Sequence, residues 1–135
     1  MLRPYSPEIR FADIDAMGHV NNAVYLSYFE QARIHFFSQI LDTKWDWKRQ
    51  GILVAKNEIN YKLPVVLKDR IEIHVTCSHI GTKSFTLTYE LRRGEELCTT
   101  GSSVLVCFDH NSQRPAVIPQ EWREKLFLLS SDQTQ

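Results

Sequence analysis

The sequence predicts an α+β domain in which a sheet wraps around one long helix, and three observations carry that prediction. From Asn22 onward, Tyr25, Phe29, Ala32, Phe36 and Ile40 recur at intervals of three or four, which places them on one face of an α-helix running to about Leu41. Four segments follow, at 52–63, 70–80, 84–92 and 96–108, with strand-like character and turn chemistry between them. One further strand-like segment, 6–12, precedes the helix. The simplest way to bury the helix stripe and the apolar sheet face together is to lay the helix against the sheet. At 135 residues the chain fits one domain of about 100–200 residues. The expected domain is 1–128, with 129–135 a disordered tail.

Each element has its own local signal. In 6–12, SPEIRFA, Ile9 and Phe11 alternate with Glu8 and Arg10, the pattern of a short half-buried strand. Gly18 follows in a loop, where it serves either a positive φ, a close ligand approach or an ordinary turn. Asn21 or Asn22 is a favoured N-cap type for the helix. Beyond Leu41, the residues Asp42 to Lys44 with Trp45 and Trp47 form a connection. In 52–63, Leu53, Ala55, Ile59 and Tyr61 are expected on one face and Lys56, Glu58 and Lys62 on the other, with Pro64 closing the strand.

The segment 70–80 puts Ile71, Ile73, Val75 and Cys77 inward, and 84–92 does the same with Phe85, Leu87, Tyr89 and Leu91. Gly81-Thr82 and Arg93-Gly94-Glu95 are the turns that bound the second of these. Gly101, within 96–108, signals a bulge or a close backbone approach. Pro119 suits the start of a short helix carrying Trp122, Leu126 and Leu129 on one side.

Composition excludes several function classes. Sixteen basic and sixteen acidic residues give zero formal charge, so there is neither a nucleic-acid footprint nor a polybasic membrane patch at whole-chain level. No stretch approaches the roughly 20 apolar residues of a membrane span, and the expectation is a soluble, cytoplasmic protein. Cys77, Cys98 and Cys107 lack a Cys-x-x-Cys pair and read as reduced core thiols. His74 and His79 lie five apart on one strand, so alternation turns them to opposite faces, and no histidine spacing suggests a metal site. No cofactor is expected. Gly-x-Ser-x-Gly elbows and phosphate-binding glycine loops are absent.

Reactive groups concentrate in 11–33. Asp13, Asp15 and His19 precede a helix start, whose backbone N–H groups and positive dipole end favour an oxyanion. A carboxylate beside such donors suits acyl transfer to water. The same aspartates and Asn21 are equally suited to Asx-turns and helix capping.

The run Asp13-x-Asp15-x-x-Gly18-His19-Val20-Asn21-Asn22, followed by Tyr25 and Tyr28-Phe29-Glu30-x-Ala32-Arg33, resembles the opening of the 4-hydroxybenzoyl-CoA thioesterase-like hotdog proteins, in the branch that includes long-chain acyl-CoA thioesterases. The likeness continues through Ile59-Asn60-Tyr61-Lys62-x-Pro64, Gly81-Thr82-Lys83-Ser84 and Val117-Ile118-Pro119. It implies a hotdog fold, an antiparallel five-stranded sheet around the helix, with the post-helix strand at an edge. That edge pairs with its copy in a homodimer or homotetramer, with sites between subunits.

The resemblance also implies a thioester hydrolase acting on a fatty or aryl acyl-CoA without cofactor. Asp15 is then the base or nucleophile, the backbone N–H of Asn22 the oxyanion donor, and His19 a residue that orients Asp15 or touches substrate. Tyr25 is expected along the acyl site, and Lys83 and Arg92 are the foremost of the candidate coenzyme A contacts, which also include Lys56, Lys62 and Arg93. Asp13 is read as structural. Glu30 is either a helix carboxylate of the site or an ion-pair partner of Arg33. Two other functions remain open: an acyl-carrier-protein thioesterase and a non-catalytic acyl-CoA-binding module.

Overall fold

The computed structural model describes residues 3–41 and 46–130. Within them, a 3-10 turn at Phe11–Asp13 is followed by helix α1 (Val24–Ile40), strands β1 (Gln50–Tyr61), β2 (Glu72–Ile80), β3 (Ser84–Arg93), β4 (Glu96–Asp109) and β5 (Arg114–Pro115), and helix α2 (Gln120–Phe127). The strands form one antiparallel sheet in the order β1-β4-β3-β2, with the two-residue β5 paired to β4. This is the expected α+β hotdog arrangement, with the post-helix strand β1 at an edge. Among the described residues no helix is long and apolar enough to cross a membrane.

The core follows from alternation on the central strands. Phe85, Leu87, Tyr89 and Leu91 of β3 are all fully buried, and α1 lies across them. Phe29 stacks on Tyr89 at 4.5 Å between ring centroids, and Phe37 meets both Phe85 and Trp122 of α2. Gly101 resolves as a close approach. A Cβ there would lie 2.8 Å from the Phe29 ring and 3.0 Å from the Glu58 carbonyl oxygen, so only glycine lets α1 settle this close to β4. The three cysteines are free and buried, and burial pushes the Cys77 and Cys107 thiols up to about 11.

The expected strand at 6–12 does not form. Only Tyr5 bridges to Ile73, while Phe11 is 83% exposed in the 3-10 turn. The cause is local: Asp13 draws the Arg10 N–H onto its carboxylate and sends its own N–H to the Arg10 carbonyl, winding the segment into a turn. The sheet still has five strands, with β5 as the fifth.

Two bulges overturn facing assignments made on strict alternation. The β1–β4 register shifts between Val54 and Lys56, leaving Ala55 outside it. Ile52 and Val54, paired with buried Cys107 and Leu105, therefore share the core face with Ile59 and Tyr61, and Leu53 turns outward. In β2 the register shifts between Cys77 and His79. His74 and His79 then pair with Glu90 and Thr86, which lie on one face, so both histidines are on the outer face rather than on opposite ones. The connection expected at 42–45, with Trp45, and the tail at 131–135 lie outside the described residues. Leu129 packs against the core, and its carbonyl accepts the Cys77 N–H.

Candidate active site

The loop between the 3-10 turn and α1 is fixed first by Asp13, which is 2% exposed. Its carboxylate accepts hydrogen bonds from the Arg10 N–H (3.0 Å), the Arg10 guanidinium (3.0 Å) and the Tyr28 hydroxyl (2.7 Å), and its carbonyl accepts the Asn21 N–H. Burial alone would raise the Asp13 pKa, but these donors outweigh it and hold the carboxyl below the usual carboxylate range. Asp13 is thus a fastening between loop and helix, matching its structural reading.

Asp15 is arranged differently. Its Oδ1 accepts the N–H groups of Met17 (2.9 Å) and His19 (3.2 Å), and its own N–H donates to the His19 carbonyl. Gly18 closes this turn at φ +84°, a conformation that L side chains rarely adopt. One carboxylate oxygen is clamped by the backbone, and among the described residues Oδ2 accepts no hydrogen bond. The turn-forming and the reactive readings of Asp15 therefore coexist on its two oxygens. The backbone N–H and carbonyl of His19 both hydrogen-bond Asp15, while its half-buried imidazole makes no hydrogen bond among the described residues.

At the start of α1, the Asn21 side chain accepts the Ala23 N–H (2.9 Å) and the Asn21 carbonyl accepts the Val24 N–H (2.9 Å). Asn21 closes the turn leading into the helix, Ala23 occupies the N-cap position without a side-chain cap, and regular helix begins at Val24, two residues later than the periodicity suggested. The N–H groups of Asn21, Ala23 and Val24 are all committed. That of Asn22 has no acceptor among the described residues.

These groups meet in a cavity of 320 Å³ lined by Asp15, His19, Asn22, Tyr25, Tyr61 and Lys62, with Leu63 and Pro64 at its edge. Tyr25 is 2% exposed and sits edge-on to Tyr61, 5.2 Å between centroids. Burial raises the pKa of both phenols, keeping them protonated. A larger cavity of 580 Å³ lies between α1 and β2, lined in part by Ala32, Phe36, Ile73 and Val75. None of the loop carboxylates reaches it.

Four of the six sequence-predicted site residues thus come together: Asp15, His19, Asn22 and Tyr25. Arg92 is tied to its own strand and the turn after it, donating to Glu90 and to the Glu95 carbonyl. Arg93 is held by Asp69, Glu96 and the Pro64 carbonyl. Lys83 lies just before Ser84, which is level with Val106 and, through β4, with Leu53; the cavity is level with Leu91, Thr99 and Tyr61. Within one chain Lys83 is therefore at the opposite end of the sheet. Lys62 is the cation that lines the cavity.

The Glu30–Arg33 ion pair does not form; Arg33 donates instead to the Tyr89 hydroxyl at 3.2 Å. Sequence reasoning placed Tyr61 only on the inner face of its strand. Its hydroxyl reaches the Asn22 carbonyl at 2.9 Å, and its place in the Asn60-Tyr61-Lys62-x-Pro64 run was the available signal. Among the described residues no three His, Cys, Asp or Glu side chains group so as to hold a metal ion.

The chain as a whole is similar to known proteins. The chain is 32% identical over 120 residues to the YsmA protein of Bacillus subtilis, covering 87% of this chain and 80% of that one. It is 30% identical over 122 residues to the long-chain acyl-CoA thioesterase FadM of Escherichia coli, covering 88% and 92%. Its fold matches the crystal structure of a Thermus thermophilus thioesterase complexed with coenzyme A and zinc, with a TM-score of 0.82 and 35% identity over 93% and 92% of the two chains. Residues 9–126 match the Thioesterase-like superfamily, and the chain belongs to that family.

Proposed function

We propose that the protein is an acyl-CoA thioesterase that hydrolyses the thioester to a free acid and coenzyme A. One observation carries the reading: Asp15, whose Oδ2 accepts no hydrogen bond among the described residues, and Asn22, whose N–H has no acceptor among them, line the same cavity. Water attacking the thioester carbonyl gives up a proton to Asp15, or the carboxylate attacks directly. Either route places negative charge on the carbonyl oxygen, which the Asn22 N–H receives. Collapse of that intermediate breaks the carbon–sulfur bond. On the first route Asp15 passes its proton to the departing coenzyme A thiolate and the acid is free. On the second the thiolate takes a proton from solvent, and water then hydrolyses the acyl anhydride on Asp15 to the free acid. His19 lines the cavity with a ring that makes no hydrogen bond among the described residues and contacts the substrate, and Tyr25 and Tyr61 form the wall.

The names of relatives support the substrate class, since one is a long-chain acyl-CoA thioesterase and another was crystallised with coenzyme A. The edge position of β1 supports a homodimer, because an unpaired edge of twelve residues is an aggregation liability unless covered. Two-fold antiparallel pairing would bring the Gln50 end of one β1 beside the Tyr61 end of the other. Lys83 would then approach the cavity of the partner and bind coenzyme A phosphates there. The deciding experiment is thiol release from a panel of acyl-CoAs of graded length with aryl members included. Absence of turnover across the panel overturns the reading.

A further inference from the structure

The inner face of β1 continues from the cavity toward the middle of the molecule, and its residues fall into three layers. Strand pairing sets Tyr61 level with Thr99, Ile59 with Gly101, and Asn57 with Ser103. On α1, Tyr25 closes the first layer against Tyr61 and Phe29 closes the second against Gly101. Arg33 closes the third through Tyr89, whose hydroxyl neighbours Ser103. Asn57 lies four residues from Tyr61, about 13 Å along the strand. α1 leaves this face open, with Val54 44% and Tyr61 46% exposed.

The third layer is rich in donors and poor in acceptors. The buried Ser103 hydroxyl donates to Asn57 Oδ1 at 2.6 Å, which fixes the amide and presents its NH₂ group. That group has no acceptor among the described residues. The Arg33 guanidinium spends one N–H on Tyr89 and pairs with no carboxylate among the described residues. Arg33 is half-buried, so a counter-charge brought to it would be only partly screened by water. An anionic oxygen at this position would satisfy both side chains.

We propose that the Arg33–Asn57 layer selects acyl groups whose far end carries a carboxylate, that is, the coenzyme A monothioesters of dicarboxylic acids. This rests on the proposed thioesterase reading and names its substrate class. With the thioester between Asp15 and Asn22, an acyl chain along β1 crosses the apolar Ile59–Phe29 layer and brings its far end to Arg33. A carboxylate there gains charge-assisted hydrogen bonds. A plain alkyl chain of the same length would instead cover the guanidinium and the amide without pairing them.

The test compares sebacoyl-CoA with decanoyl-CoA, which have the same number of carbons and a chain long enough to span the roughly 13 Å between the first and third layers. The expected kcat/KM ratio favours sebacoyl-CoA by at least about tenfold, the lower bound for a hydrogen bond to a charged group. Arg33→Met should abolish or invert that ratio, Asn57→Leu should reduce it, and Arg33→Lys should restore part of it. The ratio is taken within one preparation, so loss of folded protein cancels. Binding of both thioesters by calorimetry is the second readout, independent of turnover. A sebacoyl preference in binding that depends on Arg33, without hydrolysis of either thioester, keeps this inference and overturns the thioesterase reading. Equal use and equal binding of the two substrates overturns the inference alone. So does an Arg33→Met variant that keeps the wild-type ratio but dissociates in sedimentation, since the counter-charge of Arg33 is then a second copy of the chain.

Discussion

The Tyr61 hydroxyl donates to the carbonyl oxygen of Asn22 at 2.9 Å, joining the last residue of the edge strand to the turn that opens α1. The bond holds residue 22 from its carbonyl side, while its N–H has no acceptor among the described residues. Tyr61→Phe keeps the ring packed against Tyr25 and deletes only this bond. The expected loss is about 0.5–1.5 kcal/mol of stability, seen as a fall of a few degrees in melting temperature. If Asn22 supplies the oxyanion donor, kcat should fall more than substrate affinity, because the donor's position matters most when charge develops.

Asp15→Asn preserves size and turn-forming ability and keeps Oδ1 as the acceptor for Met17 and His19. It removes the charge on the uncommitted oxygen. The chemical step should slow at least about a hundredfold, the lower end of general-base contributions, with melting temperature and acyl-CoA binding close to wild type. Wild-type turnover in this variant would defeat the assignment.

Asp13→Asn should show the reverse pattern. It weakens charge-assisted bonds from Arg10 and Tyr28 at a buried position, so a loss of roughly 1.5–3 kcal/mol is expected, with turnover per folded molecule little changed. The sign of the pH dependence follows from the lowered Asp13 pKa. A carboxyl whose folded pKa lies below its unfolded value of about 3.9 contributes stability above that value. The contribution is lost as pH falls through the folded pKa. Melting temperature measured from neutral pH to about pH 3 should therefore fall less steeply in Asp13→Asn than in wild type. Asp69, whose pKa is also lowered by Val66 and Arg93 outweighing its burial, supplies a remaining acid-sensitive contribution.

What the sequence made legible was set by how local the determinants are. The α1 stripe and the alternation of β3 are dictated by helix and strand periods, and they appear as read. The facing of Leu53 and of His79 was misjudged because a bulge moves every residue beyond it by one, and no residue type at Ala55 or Ser78 announces it. The strand expected at 6–12 failed because one carboxylate, Asp13, outcompeted the ladder. In the site, Asp15, His19, Asn22 and Tyr25 lie within eleven residues of chain and travel together. Lys83 and Tyr61 depend on register, which one sequence does not reveal.

The position of Lys83 yields the last prediction. If the chain is a dimer through β1, Lys83 serves the partner's cavity, and its phosphate contact is remote from the carbonyl. Lys83→Ala should then raise KM for acyl-CoA with kcat nearly unchanged, since such contacts bind ground and transition states alike. An acyl-pantetheine without the nucleotide phosphates should feel little of it. Mixing separates action within one chain from action across the interface. Co-assembly of Lys83→Ala with Asp15→Asn places both defects in one cavity and leaves the other intact if Lys83 acts across the interface. The hybrid should then show wild-type KM at about half the wild-type kcat. If Lys83 acts within its own chain, each cavity of the hybrid carries one defect, and the remaining turnover keeps the raised KM of Lys83→Ala. A monodisperse monomer at micromolar concentration, seen by sedimentation, would remove the shared-site geometry altogether.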